Sequence, residues 1–175
     1  REPTFLEVHT LCGIAGWIDF SNTIKHEYDV IKAMTGTLSR RGPDAEGYWT
    51  CDHALFGHRR LAVVDLEGGV QPMTLTVDGN TYVIVYNGEL YNTNELRGEL
   101  LAFGYHFRGH SDTEVLLTAF IHWGESCLER LNGIYAFGVW NDTGKTLFLA
   151  RDRMGVKPLF VYNYPDGIIF GSELK

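Results

Sequence analysis

The chain has 175 residues, of which 45% are hydrophobic and 21% charged, as in an ordinary water-soluble globular domain. Its formal net charge of −7 argues against a general nucleic-acid-binding surface and against binding to anionic membranes, because both need basic patches. No apolar run approaches the ~20 residues of a membrane span, and no secretory signal is recognisable, so we expect a cytoplasmic protein without membrane or nucleic-acid partners.

The first predicted element is a strand over residues 12–20, which begins at Cys12 after eleven residues without a clear hydrophobic period. A helix is predicted over residues 27–40, because apolar side chains recur at helical spacing. Its apolar face carries Val30, Ile31, Met34 and Leu38. Two further strands are predicted at residues 47–50 and 54–61, on either side of a short turn.

The strongest hairpin signal is Asp78-Gly79, which precedes a β-branched and aromatic strand over residues 81–86 that we expect to end at Asn87. Two helices are then predicted, over residues 95–103 and 112–123. Capping boxes are expected to open them, formed by Asn92 with Glu95 and by Ser111 with Glu114. The remaining predicted strands cover residues 136–141, 146–151, 159–164 and 168–171. Antiparallel hairpins interrupted by helices predict an α+β fold in a single domain.

Cys12, between apolar neighbours and two glycines, is either a small buried hydrophobe or a nucleophile at the head of a strand. A thiol nucleophile needs a base, an oxyanion stabiliser and a substrate clamp. Asn87 and Gly88 offer a side-chain amide and an unhindered backbone N–H for the oxyanion, although a plain Asn-Gly turn is the commoner interpretation of that pair. The base is either a histidine that the sequence does not identify or a free α-amine of Cys12 itself.

Charged candidates for a substrate clamp are Arg59, Arg60, Glu89 and Asp112. A guanidinium in an otherwise apolar strand can bind a carboxylate through two parallel hydrogen bonds. One of the two arginines is instead expected to form a structural ion pair with Asp44 or Asp65. The acidic candidates could hold an ammonium group, or Asp112 could simply complement the dipole of the helix that it opens.

The three cysteines, Cys12, Cys51 and Cys127, are odd in number and widely spaced, and the seven histidines are scattered. This pattern predicts neither a disulfide framework nor a metal site, and a reducing compartment fits it. Cys51 and Cys127 are expected to take no part in the chemistry.

Seven motifs in succession resemble the glutaminase domain of glutamine-hydrolysing asparagine synthetase, a class II glutamine amidotransferase, over residues 12–175. They are Cys12-Gly13-Ile14-Ala15-Gly16, Arg41-Gly42-Pro43-Asp44, the segment from His58 to Asp65, Gln71-Pro72, the segment from Asn87 to Asn92, the segment from Ser111 to Glu114 and the segment from Arg151 to Leu159.

The resemblance implies an N-terminal-nucleophile hydrolase fold, with two stacked antiparallel sheets between helical layers. It also implies that Cys12 attacks the side-chain amide of glutamine and that the γ-glutamyl thioester is then hydrolysed. Asn87 and Gly88 would form the oxyanion hole, and Arg60 rather than Arg59 would hold the α-carboxylate. The remaining residues implied in substrate binding are Leu61, Ala62, Val63 and Val64 along the pocket, with Glu89 and Asp112 on the α-ammonium.

The segment from Arg151 to Leu159 is expected to be a rigid turn with a structural role, because Gly155 and Pro158 suit such a turn. No cofactor is expected in this domain. The partners that the resemblance implies are L-glutamine and a C-terminal synthetase domain that would use ATP and magnesium, and a homodimer stays open.

The leader of residues 1–11 departs from the family pattern, in which the catalytic cysteine comes first or follows a short propeptide. With Leu11 attached, the nitrogen of Cys12 is an amide and cannot act as a base. The leader is therefore a propeptide, a reading-frame extension with synthesis starting at position 11, or the mark of an inactive glutamine-binding module. An ammonia donor for a different acceptor is the remaining alternative.

Overall fold

The computed structural model describes residues 12–61 and 69–174. Within them the strands are β1 (Gly13–Asp19), β2 (Ala45–Thr50), β3 (Ala54–Arg60), β4 (Met73–Val77), β5 (Asn80–Leu90), β6 (Gly133–Asn141), β7 (Thr146–Arg151), β8 (Phe160–Tyr164) and β9 (Gly167–Gly171). The α-helices are α1 (Tyr28–Thr37), α2 (Thr93–Ala102) and α3 (Asp112–Trp123), and a 3₁₀ helix covers Gly124–Glu129. None of these helices is long and apolar enough to cross a membrane.

The strands form two antiparallel sheets. The first has the order β2-β3-β1-β9-β8 and the second the order β4-β5-β6-β7. Strand β1, at the centre of the first sheet, pairs Ile14 with His58 of β3, and strand β5 pairs Asn87 with Ala136 of β6. The two central strands therefore carry the segments that the sequence singles out.

Three apolar clusters separate four layers. Between α1 and the first sheet lie Ala15, Ile31, Leu38 and Leu55; between the two sheets lie Ile14, Ile18, Phe56, Val83, Val85, Trp140 and Phe170; between the second sheet and helices α2 and α3 lie Ile84, Leu96, Leu100, Leu116 and Phe137. Successive residues of one strand enter different clusters, because side chains alternate between the faces of a strand. The predicted α+β architecture of two stacked sheets between helical layers is confirmed.

Most predicted elements lie within a few residues of the observed ones, but three details are wrong. Val30 is 38% exposed, and the buried positions of α1 are Ile31 and Thr35. Asn92 precedes α2 without capping it, since its side chain binds the backbone of Arg130 and Asn132. Ser111 does cap α3 by accepting the N–H of Glu114, whereas the Glu114 carboxylate binds N–H groups in the preceding loop.

Strand β5 is the third difference. It continues through Asn87 and Gly88 to Leu90, with both residues paired to β6, so the Asn-Gly pair is not a turn. The turn signal in that dipeptide is overridden by the ladder on β6 and by the burial of the strand. A polar amide is thereby held inside a central strand.

Candidate active site

The thiol of Cys12 lies directly before β1 and is half-buried. Its Sγ accepts the N–H of Leu61 at 3.5 Å and lies 4.0 Å from the carbonyl oxygen of the same residue, at the point where the chain leaves β3. The Cys12 carbonyl accepts a hydrogen bond from Nε of Arg41 at 3.3 Å. Arg41 in turn pairs with Glu173. The nucleophile candidate is therefore fixed on both its side-chain and backbone sides.

The thiols of the other two cysteines are kept protonated by burial. Burial raises the pKa of the Cys51 thiol to about 11 and that of the fully buried Cys127 thiol to about 12. Both stay protonated at neutral pH, and only the thiolate is a strong nucleophile. This agrees with the expectation that they take no part in the chemistry.

Strand alternation directs Cys12 and Asn87 toward the same space. Cys12 shares its face of the first sheet with Ile14 and Ile18, which lie in the cluster between the sheets. Asn87 shares its face of the second sheet with Val83 and Val85, which lie in the same cluster. The thiol and the amide therefore enter the gap between the sheets from opposite walls.

Asn87 carries a clear sign of a ligand site. The residue is 2% exposed, and its Nδ2 is a buried donor without a hydrogen-bond partner in the described part of the chain. An unsatisfied buried donor costs about 1–3 kcal/mol, so such a group indicates a ligand that supplies the missing acceptor. At Gly88 a Cβ would collide with the carbonyl oxygen of Ile134, so this position excludes a side chain beside the amide.

The two neighbouring arginines lie on opposite faces of β3. Arg59 is on the face toward α1, where it forms an ion pair with Glu46 at 2.6 Å and donates to the carbonyl of Thr35. Arg60 shares the face of Phe56 and His58, toward the gap between the sheets. Arg59 thus forms a structural ion pair with Glu46. Of the two aspartates expected as partners, Asp65 lies outside the described residues.

The two acidic candidates lie near the same end of β5. Glu89 is exposed and has no hydrogen-bond or ion-pair partner in the described residues. Asp112, at the start of α3, uses one oxygen, Oδ2, to accept from the Tyr86 hydroxyl at 2.8 Å and from the N–H of Leu90 at 3.2 Å. Both could receive an ammonium group, and Asp112 additionally ties α3 to β5.

No histidine of the described residues is hydrogen-bonded to Cys12. His58 is the nearest candidate along β3, but it is 1% exposed and donates Nε2–H to the carbonyl of Tyr86 at 3.2 Å. Burial lowers the pKa of His58 to about 4, which keeps the ring neutral at physiological pH. His58 therefore joins the two sheets and is not placed to take the thiol proton.

Two residues of the site were not assigned a role from the sequence. Gln71 accepts the N–H of Tyr86 at 2.6 Å through Oε1 and donates to Thr113 through Nε2, so it links β5 to α3. Arg41 holds the carbonyl of Cys12. Both belong to the seven motifs given above. The signal that could have identified Gln71 was a polar side chain in a mostly apolar region of the sequence.

The predicted pocket residues Ala62, Val63 and Val64, like the leader of residues 1–11, lie outside the described residues. Leu61 is described and contacts the thiol. In the described part of the chain, no three His, Cys, Asp or Glu side chains are grouped so that they could hold a metal ion.

Comparison with known proteins gives a consistent result. The model of the glutamine amidotransferase domain family matches residues 11–175. The chain is 54% identical to asparagine synthetase [glutamine-hydrolyzing] 3 of Bacillus subtilis, covering 94% of this chain and 27% of that protein. It is 42% identical to asparagine synthetase [glutamine-hydrolyzing] 1 of the same organism, over 94% of this chain and 26% of that protein. The chain thus spans about a quarter of the length of these relatives.

Solved structures give the same fold at lower sequence identity. The glutamine phosphoribosylpyrophosphate amidotransferase of B. subtilis, complexed with ADP and GMP, superposes with a TM-score of 0.60 at 23% identity, over 91% of this chain and 35% of that one. An allosteric regulatory enzyme of purine biosynthesis superposes with a TM-score of 0.60 at 24% identity, over 94% of this chain and 36% of that one.

Proposed function

Because the chain belongs to the glutamine amidotransferase domain family, we propose that it hydrolyses glutamine to glutamate and ammonia with the Cys12 thiol as nucleophile. The observation that carries this proposal is the buried, unsatisfied Nδ2 of Asn87, which strand alternation directs into the same gap as the Cys12 thiol. A nucleophile facing a buried, unoccupied hydrogen-bond donor is the arrangement that acyl transfer through an oxyanion requires.

The reaction begins with transfer of the Cys12 thiol proton to a free α-amine on the same residue. The sulfur attacks the side-chain carbonyl carbon of glutamine, and the oxygen becomes negative. The Asn87 amide and the Gly88 backbone N–H stabilise that oxygen by hydrogen bonds. The α-amine passes its proton to the departing nitrogen, ammonia leaves, and water hydrolyses the thioester by the same route in reverse.

Substrate binding relies on the charged walls of the gap. The Arg60 guanidinium binds the α-carboxylate of glutamine at two points, and backbone groups of Leu61, Ala62, Val63 and Val64 line the pocket. The α-ammonium is held by Glu89, which is exposed and unpaired among the described residues, and by Asp112.

The mechanism requires that nothing be bonded to the nitrogen of Cys12. We therefore propose that residues 1–11 are absent from the active protein, either removed as a propeptide or never translated. Retention of the leader would leave a glutamine-binding module without turnover.

The wider role is that of an ammonia donor. We propose that the ammonia feeds an ATP- and magnesium-dependent synthetase domain that makes asparagine in the cytoplasm. The support for this role is that the similar B. subtilis proteins are glutamine-hydrolysing asparagine synthetases. The glutaminase domain itself needs no cofactor for the steps above. Whether the protein is a homodimer remains a prediction.

The test is the release of glutamate and ammonia from glutamine by full-length protein prepared with Cys12 as its first residue, alongside protein that keeps residues 1–11. We expect turnover only from the first. Equal turnover from protein whose bond between residues 11 and 12 is shown intact by mass spectrometry would refute the free-amine mechanism. A second assay measures which amide the full-length protein forms from glutamine-derived ammonia. Formation of asparagine rather than another amide identifies aspartate as the acceptor.

A further inference from the structure

The residues that follow β9 hold the start of β1, and the mechanism above gives them no role. Ser172, which is 1% exposed, accepts the N–H of Ile14 through its Oγ at 3.0 Å and donates its own N–H to the Ile14 carbonyl at 2.9 Å. The residue-by-residue pairing of β1 with β9 ends at Ala15 and Gly171, so these two bonds extend it toward Cys12. The strand is thereby fixed two residues after the nucleophile.

Glu173 extends the same connection to Cys12 itself. Its Oε1 accepts a hydrogen bond from Nη1 of Arg41 at 3.3 Å, and Nε of that guanidinium donates to the Cys12 carbonyl, also at 3.3 Å. The two charged side chains are mostly buried, with 17% of Arg41 and 25% of Glu173 exposed, so solvent weakens their attraction less than it weakens that of a surface pair. One guanidinium thus connects the backbone of the nucleophile to a carboxylate beyond β9.

The backbone of Arg41 lies in a tight turn between α1 and β3. At the next residue, Gly42, a Cβ would collide with the backbone of β3, so the chain passes directly against that strand. The third guanidinium nitrogen, Nη2, is buried and has no hydrogen-bond partner in the described residues. The orientation of the Arg41 side chain therefore depends on its two described acceptors, the Cys12 carbonyl and the Glu173 carboxylate.

A nucleophile that is the first residue of its chain needs anchors of this kind. Chain ends are poorly ordered unless other parts of the structure tie them down, and a first residue is joined to the chain on one side only. In the proposed mechanism the α-amine of Cys12 has to stay free to act as the base. The carbonyl is the other polar group of the Cys12 backbone, and it is the group that Arg41 binds.

We propose that Glu173 is a positioning residue for glutamine hydrolysis, which orients the Arg41 guanidinium on the Cys12 carbonyl and so holds the thiol in line with Asn87 and Gly88. This inference rests on the proposed glutaminase function. It adds to that function a residue that acts through the backbone of the nucleophile rather than on glutamine, so its removal should lower kcat and leave substrate binding unchanged.

The test is the steady-state kinetics of glutamine hydrolysis in full-length protein with Cys12 first, comparing Glu173→Gln and Glu173→Ala with the wild type. We expect kcat to fall about tenfold in the glutamine variant, which keeps an oxygen acceptor without the charge, and about 100-fold in the alanine variant, the effect of a misplacement of about 1 Å. KM should not change. Glu46→Ala is the matched control, because it removes the carboxylate that pairs with Arg59 on the face of β3 toward α1, and it should change neither constant.

A double-mutant cycle tests whether Glu173 acts through Arg41. If it does, the double variant Arg41→Met with Glu173→Ala should lose no more activity than Arg41→Met alone, since the carboxylate then has no guanidinium to orient. Losses that multiply in the double variant would show two independent roles and would contradict the proposed connection.

A further measurement does not depend on turnover. Hydrogen exchange of the β1 amides, followed by mass spectrometry of the N-terminal peptide, should be about tenfold faster in Glu173→Ala and unchanged in Glu46→Ala. Glu173→Gln serves if alanine prevents folding. An unchanged kcat in the folded Glu173 variants, or a rise in KM at constant kcat, would overturn the proposal while leaving the glutaminase function intact. A wild-type protein without any glutaminase activity would instead refute the function on which the proposal rests.

Discussion

The two walls of the gap are built in different ways. On the wall of the second sheet, Asn87 and Gly88 lie inside a long central strand, paired residue by residue with β6. On the wall of the first sheet, Cys12 and Leu61 lie where β1 begins and β3 ends, outside the regular ladder. One wall therefore offers donors held inside a regularly paired strand, and the other offers groups at strand ends.

The difference matches what the proposed mechanism requires of each wall. An oxyanion hole works best when its donors are already oriented, since no reorganisation is then needed as charge develops. A nucleophile that uses its own α-amine has to be the first residue of its chain, because every later residue has its nitrogen in a peptide bond, and such a residue can only precede a strand or begin it. Each of the following changes affects one wall or the connection between them.

The largest effect is expected for Cys12→Ala, which removes the reactive atom of the first wall. Glutamine hydrolysis should fall by more than about 1000-fold, because the remaining donors cannot replace a covalent nucleophile. Glutamine binding should persist, since the opposite wall and Arg60 are untouched, and calorimetric titration checks this. Cys51→Ala is the matched control, and loss of hydrolysis in that variant as well would implicate a different thiol.

Asn87→Ala removes a donor from the rigid wall and leaves the nucleophile in place. We expect kcat to fall by about 100- to 1000-fold with little change in KM, the effect of losing one oxyanion donor. Steady-state kinetics measure both constants, and Asn163→Ala, on the exposed strand β8, is the control. A rise in KM without a fall in kcat would show that Asn87 binds the substrate rather than the transition state.

The sequence predicted the strands that form the two walls better than it predicted the positions of the site residues on them. Strand alternation and β propensity located β1, β3 and the apolar part of β5, because their apolar patterns match their burial. The role of Asn87 was obscured, because an Asn-Gly pair is a turn signal and only pairing with β6 shows otherwise. Residue type alone did not separate Arg60 from Arg59. The resemblance implied Arg60, and strand alternation places the two side chains on opposite faces of β3.

His58 connects the two walls through its hydrogen bond to Tyr86. Its pKa therefore lets us predict how the stability of the folded protein depends on pH. Its pKa is about 4 in the folded protein, against about 6.5 when unfolded, so the unfolded chain binds the proton first as the pH falls. The stabilisation is complete above pH 6.5 and is lost between about 6.5 and 4. This difference in pKa corresponds to about 3 kcal/mol in the free energy of unfolding.

Urea denaturation between pH 7 and pH 4 tests this, with His58→Gln as the variant in which that loss should disappear. The carboxyls with lowered pKa, such as Asp152, lose their contribution only below about 3.8 and so do not obscure the window. An equal loss of stability in wild type and variant over this window would show that His58 is not held neutral between the sheets.

The smallest effect separates the two faces of a single strand. Arg60→Lys should raise the KM for glutamine about tenfold, because one ammonium cannot reproduce the planar two-point grip of a guanidinium on a carboxylate. Arg59→Lys, next to it in sequence, should leave KM unchanged, since Arg59 faces α1 and pairs with Glu46. If the Arg59 variant raised KM and the Arg60 variant did not, the face of β3 that meets the substrate would be the one toward the helix. The proposed site would then be wrong, because it places Cys12 and Arg60 together in the gap that faces the second sheet.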